Sequence, residues 1–192
     1  CLFRLSKYVL RYFDLAEMTV DMPHARADQQ APNGQPQQVV PLDADGVLQR
    51  PTVGWRMAFQ SILGIDDEPP LDRFIDDILE AESAFLASPK GFKERIETVL
   101  CKWSRPESAP DVIDAMNSIE IYEDVMEAVQ IFRSAGIRCH IASNQQALRA
   151  WHMSEVLNYK SLFDREFYSC FLGVAKPRTD FFEKVLDALN CD

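Results

Sequence analysis

Three short polar groups, far apart in the chain, have residue types suited to chemistry on a phosphate. The first is Asp43-Ala44-Asp45-Gly46, behind the apolar run Val39 to Leu42. Ligands of open α/β sheets bind beyond the carboxyl ends of the strands. Of two carboxylates two residues apart, one could attack phosphorus while the other handles a proton. Paired acidic oxygens also suit Mg²⁺, which brings substrate phosphate with it. Gly46 lets the backbone turn away. Taken alone, the same residues read equally well as an Asx-rich turn.

The second group is Ser143-Asn144, after the alternating run Ile137, Cys139, Ile141. A hydroxyl and an amide there can hold phosphate oxygens. Alone, the pair reads better as the N-cap of a helix starting at Gln145. The third group is Lys176-Pro177, after Gly173-Val174-Ala175. A lysine at a strand-to-helix turn could neutralise a phosphate and an attacking carboxylate, with Pro177 in the first turn of the next helix. Alone, Lys176 reads as an ordinary exposed lysine.

The elements that would position these groups follow from periodicity. Val39 to Leu42 reads as a buried strand, residues 137–143 as a second, and residues 167–171 as a third. Helical spacing runs through Leu71, Phe74, Ile75, Ile78, Leu79, Phe85 and Leu86, and again through Phe92, Ile96, Val99, Leu100 and Trp103. Val125, Ala128, Val129 and Phe132 mark a helix ending at Gly136. Residues 145–156 read as helix, and Phe181, Phe182, Val185, Leu186 and Leu189 as a last one. No strand is predicted between about Gly54 and Ile119. Strand and helix alternate elsewhere, which implies parallel βαβ units. The expected division is a core of residues 39–49 and 119–192, and a helical insert over 50–118.

Residues 1–38 read differently. Leu2, Leu5, Val9, Tyr12 and Phe13 are spaced for an amphipathic helix, but Arg4, Lys7 and Arg11 interrupt it, unlike a signal peptide. Residues 28–38 form a polar, Pro-containing linker. The expectation is an N-terminal extension outside the fold. The chain starts at Cys1 rather than Met, as a fragment would.

The net charge of -10 argues against nucleic acid or an anionic membrane as partner, since both need clustered cations. It does not argue against a small phosphorylated substrate, because one lysine and a metal ion can supply local positive charge. Hydrophobic residues make up 47% of the 192, enough for a packed core. Five widely spaced cysteines, with no CxxC pattern, suggest reduced thiols in a cytoplasmic protein. His140 and His152 lack the partner spacing of a metal site. Nothing in the sequence indicates an oligomeric state.

Together the three groups are stronger than apart. VVPLDADGVL resembles motif I of the haloacid dehalogenase (HAD) superfamily, IASN motif II, and GVAKPRTDFF motif III. FDREFYSCFLGVAKPRTDFFEKVL is similar to the phosphatase branch with a small helical cap. The resemblance runs from Val39 to Cys191, with the cap matched only in size and helicity. It implies a Rossmannoid three-layer α/β core with a parallel sheet and an inserted cap. It implies a Mg²⁺-dependent phosphatase for a small phosphorylated metabolite, with Asp43 as nucleophile and Asp45 as acid and base. Ser143, with Asn144, would bind the phosphoryl group. Lys176 would orient Asp43 and offset charge. Asp43 and the main-chain carbonyl of Asp45 would bind Mg²⁺. Dehalogenase members lack the second acid, so Asp45 favours phosphoryl transfer.

Two departures qualify the resemblance. Pro41 lies in the strand feeding Asp43, where a bulge or a weakened hydrogen bond is expected. The family's fourth motif is an acidic pair on a later strand, and the chain stops at Asp192 before one. The expectation is a Mg²⁺ site short of one or two ligands. Asp76-Asp77 resembles that motif but falls on the wet face of a predicted helix. The rival readings are a catalytically impaired HAD-fold binding protein or pseudoenzyme, a receiver-like phosphoacceptor, and a haloacid dehalogenase. The helical insert, at roughly 70 residues, exceeds normal connection lengths and speaks against the receiver.

Overall fold

A computed structural model describes residues 38–189, and the readings made for the N-terminal extension lie outside them. In chain order the elements begin with strand β1 (Val39–Leu42) and strand β2 (Gln49–Pro51). Helices α1 (Trp55–Leu63), α2 (Glu68–Phe85), α3 (Phe92–Lys102) and α4 (Ala109–Asn117) follow. Then come β3 (Ile119–Ile121), α5 (Glu123–Ser134), β4 (Arg138–Ser143) and α6 (Ala147–Trp151). The chain continues through a π-helical turn at His152–Val156, α7 (Tyr159–Leu162), β5 (Arg165–Tyr168), α8 (Ser169–Leu172) and α9 (Thr179–Leu189).

The main sheet is parallel, in the order β1-β4-β5. Val40 and Leu42 of β1 join Cys139 and Ile141 of β4 in one apolar cluster with Val125 and Val129 of α5 and Met153 and Tyr159. A second cluster unites Phe167 of β5, Val174, and Phe181, Val185 and Leu189 of α9, with Val39 and Ala142 packed against it. The sheet therefore has helices on both faces, a three-layer α/β arrangement. Strands covered on both faces read as apolar runs, as β1 does.

Pro41 causes no bulge. The register is continuous, with Pro41 opposite His140 and Leu42 opposite Ile141. The carbonyl of Gln38 accepts from the Arg138 amide at 3.1 Å, so residues 38, 40 and 42 turn their backbone groups towards β4. Pro41, at the odd position, turns its nitrogen to the opposite edge, where no described strand pairs with β1. A proline is compatible with that edge position because no ladder donor is lost.

Between β2 and β3, α1 to α4 build a separate core. Phe59, Phe74, Ile78, Ile96, Leu100, Val112 and Met116 are buried in it. Phe74 sits edge-on to both Phe59 and Trp103, each at 5.5 Å between ring centres. In α2, Leu71, Phe74, Ile78 and Ala81 recur at helical spacing, and Pro69 and Pro70 occupy the first turn, where a missing N–H costs nothing. The insert is joined to the sheet by an antiparallel ribbon, with Gln49 opposite Ile121 and Pro51 opposite Ile119.

Two predicted elements end differently. Residues 167–171 were expected as one strand, but β5 covers Arg165–Tyr168 and α8 begins at Ser169. The Ser169 hydroxyl accepts from the Gln145 amide at 3.0 Å, which turns the chain there, and Phe171 is left exposed. Residues 145–156 do not form one regular helix. It starts at Ala147 and widens into the π-helical turn at His152. Neither Ser143 nor Asn144 caps it. Gln146 does, its side-chain oxygen accepting from Leu148 and Arg149 amides at 2.7 and 3.2 Å.

His140 is fully buried on β4 against Phe167, and neither ring nitrogen has a hydrogen-bond partner. Burial, aided by Arg138 and Arg165 and opposed by Asp164, holds its pKa below the usual histidine value. The unfolded chain therefore takes a proton near pH 6.5 that the folded chain refuses. Stability should be full above about pH 6.5 and fall as the pH drops below it. His140→Phe should make that acid limb shallower, leaving the share of His152, whose pKa burial also holds down. It should also raise stability by about 1–3 kcal/mol through removing unsatisfied buried groups. Denaturant titrations of both proteins from pH 8 to pH 5 would check it. Parallel losses for the two would contradict the assignment.

Candidate active site

The site is assembled where β1, β4 and the turn before α9 end together. Asp43 is the first residue beyond β1. Ala44 behind it is fully buried, and the turn closes with the Leu48 amide donating to the Ala44 carbonyl at 2.8 Å. Gly46 takes a positive φ of 77° in that turn, where a side chain would be strained. Asp43 and Asp45 are thereby held on either side of a buried residue.

Asp43 is gripped from both sides. Its Oδ1 accepts from the Ala44 amide and from the Ser143 hydroxyl, each at 2.8 Å. Its Oδ2 accepts from Lys176 Nζ at 2.6 Å, and the same ammonium donates to the Ala142 carbonyl at 3.1 Å. Ser143 ends β4, and Lys176 reaches in from the turn ahead of α9. That helix starts at Thr179, so Pro177, expected in its first turn, precedes it; the Lys176-Pro177 peptide is cis.

The Asn144 side chain reaches the backbone of Lys176. Its Nδ2 donates to the Lys176 carbonyl at 3.0 Å, and its Oδ1 accepts from the Lys176 amide at 2.8 Å. The side chain thus clamps the backbone that carries Lys176. Asn144→Ala should cost about 1–2 kcal/mol in thermal or denaturant unfolding, for two partly buried hydrogen bonds. An unchanged midpoint would show that the turn holds itself.

Asp45 lies in a cage of donors. Oδ1 accepts from Arg149 Nη2 at 2.7 Å and from Gln49 Nε2 at 3.0 Å, and Oδ2 accepts from Gln145 Nε2 at 2.7 Å. Burial works against its charge. The Arg149 guanidinium and the hydrogen bonds from Gln145, Gln49 and Arg149 outweigh burial and hold the carboxyl below the usual carboxylate range. Gln145 Nε2 also donates to the Ser143 hydroxyl at 3.2 Å. A continuous chain therefore links Asp45, Gln145, Ser143, Asp43 and Lys176. Behind it, the Tyr159 hydroxyl donates to Gln49 Oε1 at 3.0 Å.

The family profile of the haloacid dehalogenase-like hydrolases matches residues 37–192. The chain belongs to that family. The fold agrees with solved members. A HAD family enzyme from Bacteroides thetaiotaomicron, in complex with magnesium and inorganic phosphate, superposes with a TM-score of 0.61 at 18% identity, covering 82% of this chain and 81% of that one. L-2-haloacid dehalogenase from Xanthobacter autotrophicus, with chloropropionic acid covalently bound, gives 0.56 at 16%, covering 81% and 66%. No curated protein sequence matches the chain.

Within this HAD-like fold, Asp76 and Asp77 lie on α2, in the helical insert. Asp77 accepts from Lys102 Nζ at 2.7 Å and from Trp103 Nε1 at 2.7 Å. The hydrogen bond from Lys102, foremost, keeps its pKa low. Among the described residues no group of three or more His, Cys, Asp or Glu side chains converges as a metal site. Residue spacing did not reveal Gln49, Gln145, Arg149 or Glu82. Arg149 sits between Leu148 and Ala150 with no motif around it, and its burial is visible only in three dimensions. Glu82, on α2, has its pKa pushed up to about 7 by burial, with Arg149 opposing and Asp45 adding to the rise.

Proposed function

We propose that the chain is a Mg²⁺-dependent phosphomonoester hydrolase acting on a small phosphorylated metabolite, with α1 to α4 as the cap over its cleft. The observation that carries this reading is the second carboxylate, Asp45, linked to Asp43 through Gln145 and Ser143. The magnesium and phosphate complex of the Bacteroides relative supports it.

Two hard oxygens suited to the metal are present, while the acidic pair expected to complete its site is not found among the described residues. Asp43 offers a half-exposed carboxylate, and the main-chain carbonyl of Asp45 accepts no hydrogen bond among the described residues. Both are hard oxygens, and Mg²⁺ commonly takes one or two protein ligands, keeping water and substrate phosphate for the rest. Bound there, Mg²⁺ would offset the negative charge of the phosphate.

The chain's own residues would then act as follows. A substrate phosphate monoanion first gives its proton to Asp45, which is otherwise ionised beside Arg149. An Asp43 carboxylate oxygen then attacks phosphorus, and the leaving oxygen departs with that proton, giving an aspartyl-phosphate and an alcohol. Asp45 next removes a proton from water, whose oxygen attacks the same phosphorus and releases Asp43 and inorganic phosphate. Ser143 donates to a phosphoryl oxygen, and Lys176 offsets charge as it builds. Residence in the cytoplasm belongs to the same proposal. Cys101, Cys139 and Cys170 are unpaired, and no described helix is long and apolar enough to cross a membrane.

One observation favours a second reading, an impaired HAD-fold phosphate binder. Both oxygens of Asp45 already accept hydrogen bonds, and the Arg149 guanidinium helps to hold its carboxyl below the usual range, which opposes its use as an acid. Turnover of p-nitrophenyl phosphate with Mg²⁺, its loss with chelator, and inertness towards 2-chloropropionate would support the hydrolase. Phosphate binding without turnover would favour the binder, and chloride release would overturn both.

A further inference from the structure

Arg149 is the largest of the fully buried side chains, with 2% of its surface exposed. One arm of its guanidinium, Nη2, donates to Asp45 Oδ1 at 2.7 Å, and Nη1 donates to the main-chain carbonyl of Met116. Met116 lies in the last turn of α4, where carbonyls lack an intrahelical partner. Directly beyond it the chain enters β3 and returns to the sheet. The other connection to the insert is β2, and its buried Gln49 donates to the same Asp45 oxygen at 3.0 Å. Leu148, the neighbour of Arg149, packs into the core of the insert. Both connections of the insert therefore reach the Asp45 carboxylate, one through Gln49 and one through Arg149.

We propose that Arg149 is a positioning residue: its buried guanidinium spans Asp45 and the end of α4, coupling the aim of that carboxylate to where the helical insert sits. This rests on the reading of Asp45 as the group that handles the leaving oxygen. A guanidinium suits the task because its donors form a rigid planar fork, so a shift at Met116 is transmitted to Asp45. A lysine has one flexible head and cannot hold both partners in fixed geometry. A misplacement of about 1 Å at a reacting group can cost roughly a hundredfold in rate. Movement of the insert would thus align or misalign Asp45 without touching Asp43, whose partners come from β4 and the turn before α9.

The experiment has two arms, both on the full chain. In the first, amide hydrogen exchange is followed in wild type, Arg149→Met, Asp45→Ala and the double variant. Arg149→Met should speed exchange over residues 114–121 by about tenfold or more, Asp45→Ala should do so in the same segment, and the double should add nothing to Arg149→Met. Unchanged exchange, or additive effects, would overturn the coupling. In the second arm, kcat and KM are measured on aryl phosphates with good and poor leaving groups. Arg149→Lys and Arg149→Met should lower kcat with KM little changed, and the loss should be greater for poor leaving groups. A purely structural arginine would lower all substrates equally, which would overturn the positioning role. Arg149→Lys keeps the buried charge, so it serves if Arg149→Met does not fold. Wild type without turnover sensitive to Asp43→Asn would mean that the phosphatase reading has failed, and the exchange arm would then decide the strut by itself.

Discussion

Asp43→Asn should abolish the hydrolysis of aryl phosphates, a fall on the order of a thousandfold or more, and leave the fold intact. The chemistry requires an anionic oxygen able to bond to phosphorus, and a neutral amide is a poor nucleophile. The geometry sharpens the expectation. Oδ1 of Asp43 already accepts two hydrogen bonds, from Ala44 and Ser143, whereas Oδ2 accepts one, from Lys176. An asparagine would keep its oxygen where Ala44 and Ser143 donate, which places its NH₂ against the Lys176 ammonium. Two donors then face each other, and the open lone pair of Oδ2 is gone. Lys176 can still donate to the Ala142 carbonyl, so the local structure has somewhere to relax. The Asp43–Lys176 pair is partly exposed, at 44% and 21%, so its loss should change stability by less than about 1 kcal/mol. Release of p-nitrophenol with Mg²⁺, alongside thermal unfolding, separates the two effects. An Asp43→Asn protein within tenfold of wild type would mean that another group attacks phosphorus.

The parts of this site that were legible in the sequence share one property: each lies at the end of an apolar run. Asp43 follows Val39–Leu42, and Ser143 closes β4, so strand-end reasoning found both without knowing which strands are neighbours. Lys176 came from its motif and its order in the chain. What was hidden depends on tertiary neighbours. β2 and β3 are three residues each, too short for a period to show, and they exist because each finds the other across the base of the insert. The run Phe167-Tyr168-Ser169-Cys170-Phe171 is apolar enough for a strand throughout. It breaks at Ser169 because that hydroxyl meets Gln145, 24 residues away. Asn144 reads as a helix cap by its type, yet Gln146 caps that helix and Asn144 grips the backbone of Lys176, 32 residues on. Pro41 looked like a defect only while its strand was taken as paired on the side its nitrogen faces. The cage around Asp45 joins residues from β2, the loop after β4, and α6, and no local pattern connects them.

Lys176→Met should lower kcat by about a hundredfold or more while the protein stays folded. The lysine is the only cation seen on Asp43 among the described residues, and it lies 2.6 Å from Oδ2. A carboxylate approaching a phosphate dianion meets repulsion that grows as the two close. A fixed ammonium beside the attacking oxygen reduces that barrier, and its position is set in advance by Ala142 and by the Asn144 clamp, so little reorganisation accompanies reaction. Methionine is of similar length and apolar, and it can lie over Phe181, whose ring centre is 5.9 Å from Nζ, so packing is retained while charge is lost. Arginine should not restore the rate in full, because its planar fork cannot place one donor between Asp43 and the Ala142 carbonyl as Nζ does. Raising Mg²⁺ should recover only part of the loss, since a metal held by Asp43 and the Asp45 carbonyl would not replace the donor that Lys176 gives to Asp43 Oδ2. Steady-state rates for wild type, Lys176→Met and Lys176→Arg over a range of Mg²⁺ concentrations provide the comparison. A Lys176→Met protein that turns over within threefold of wild type would show that Lys176 has no part in the chemistry and that its contact with Asp43 is structural only.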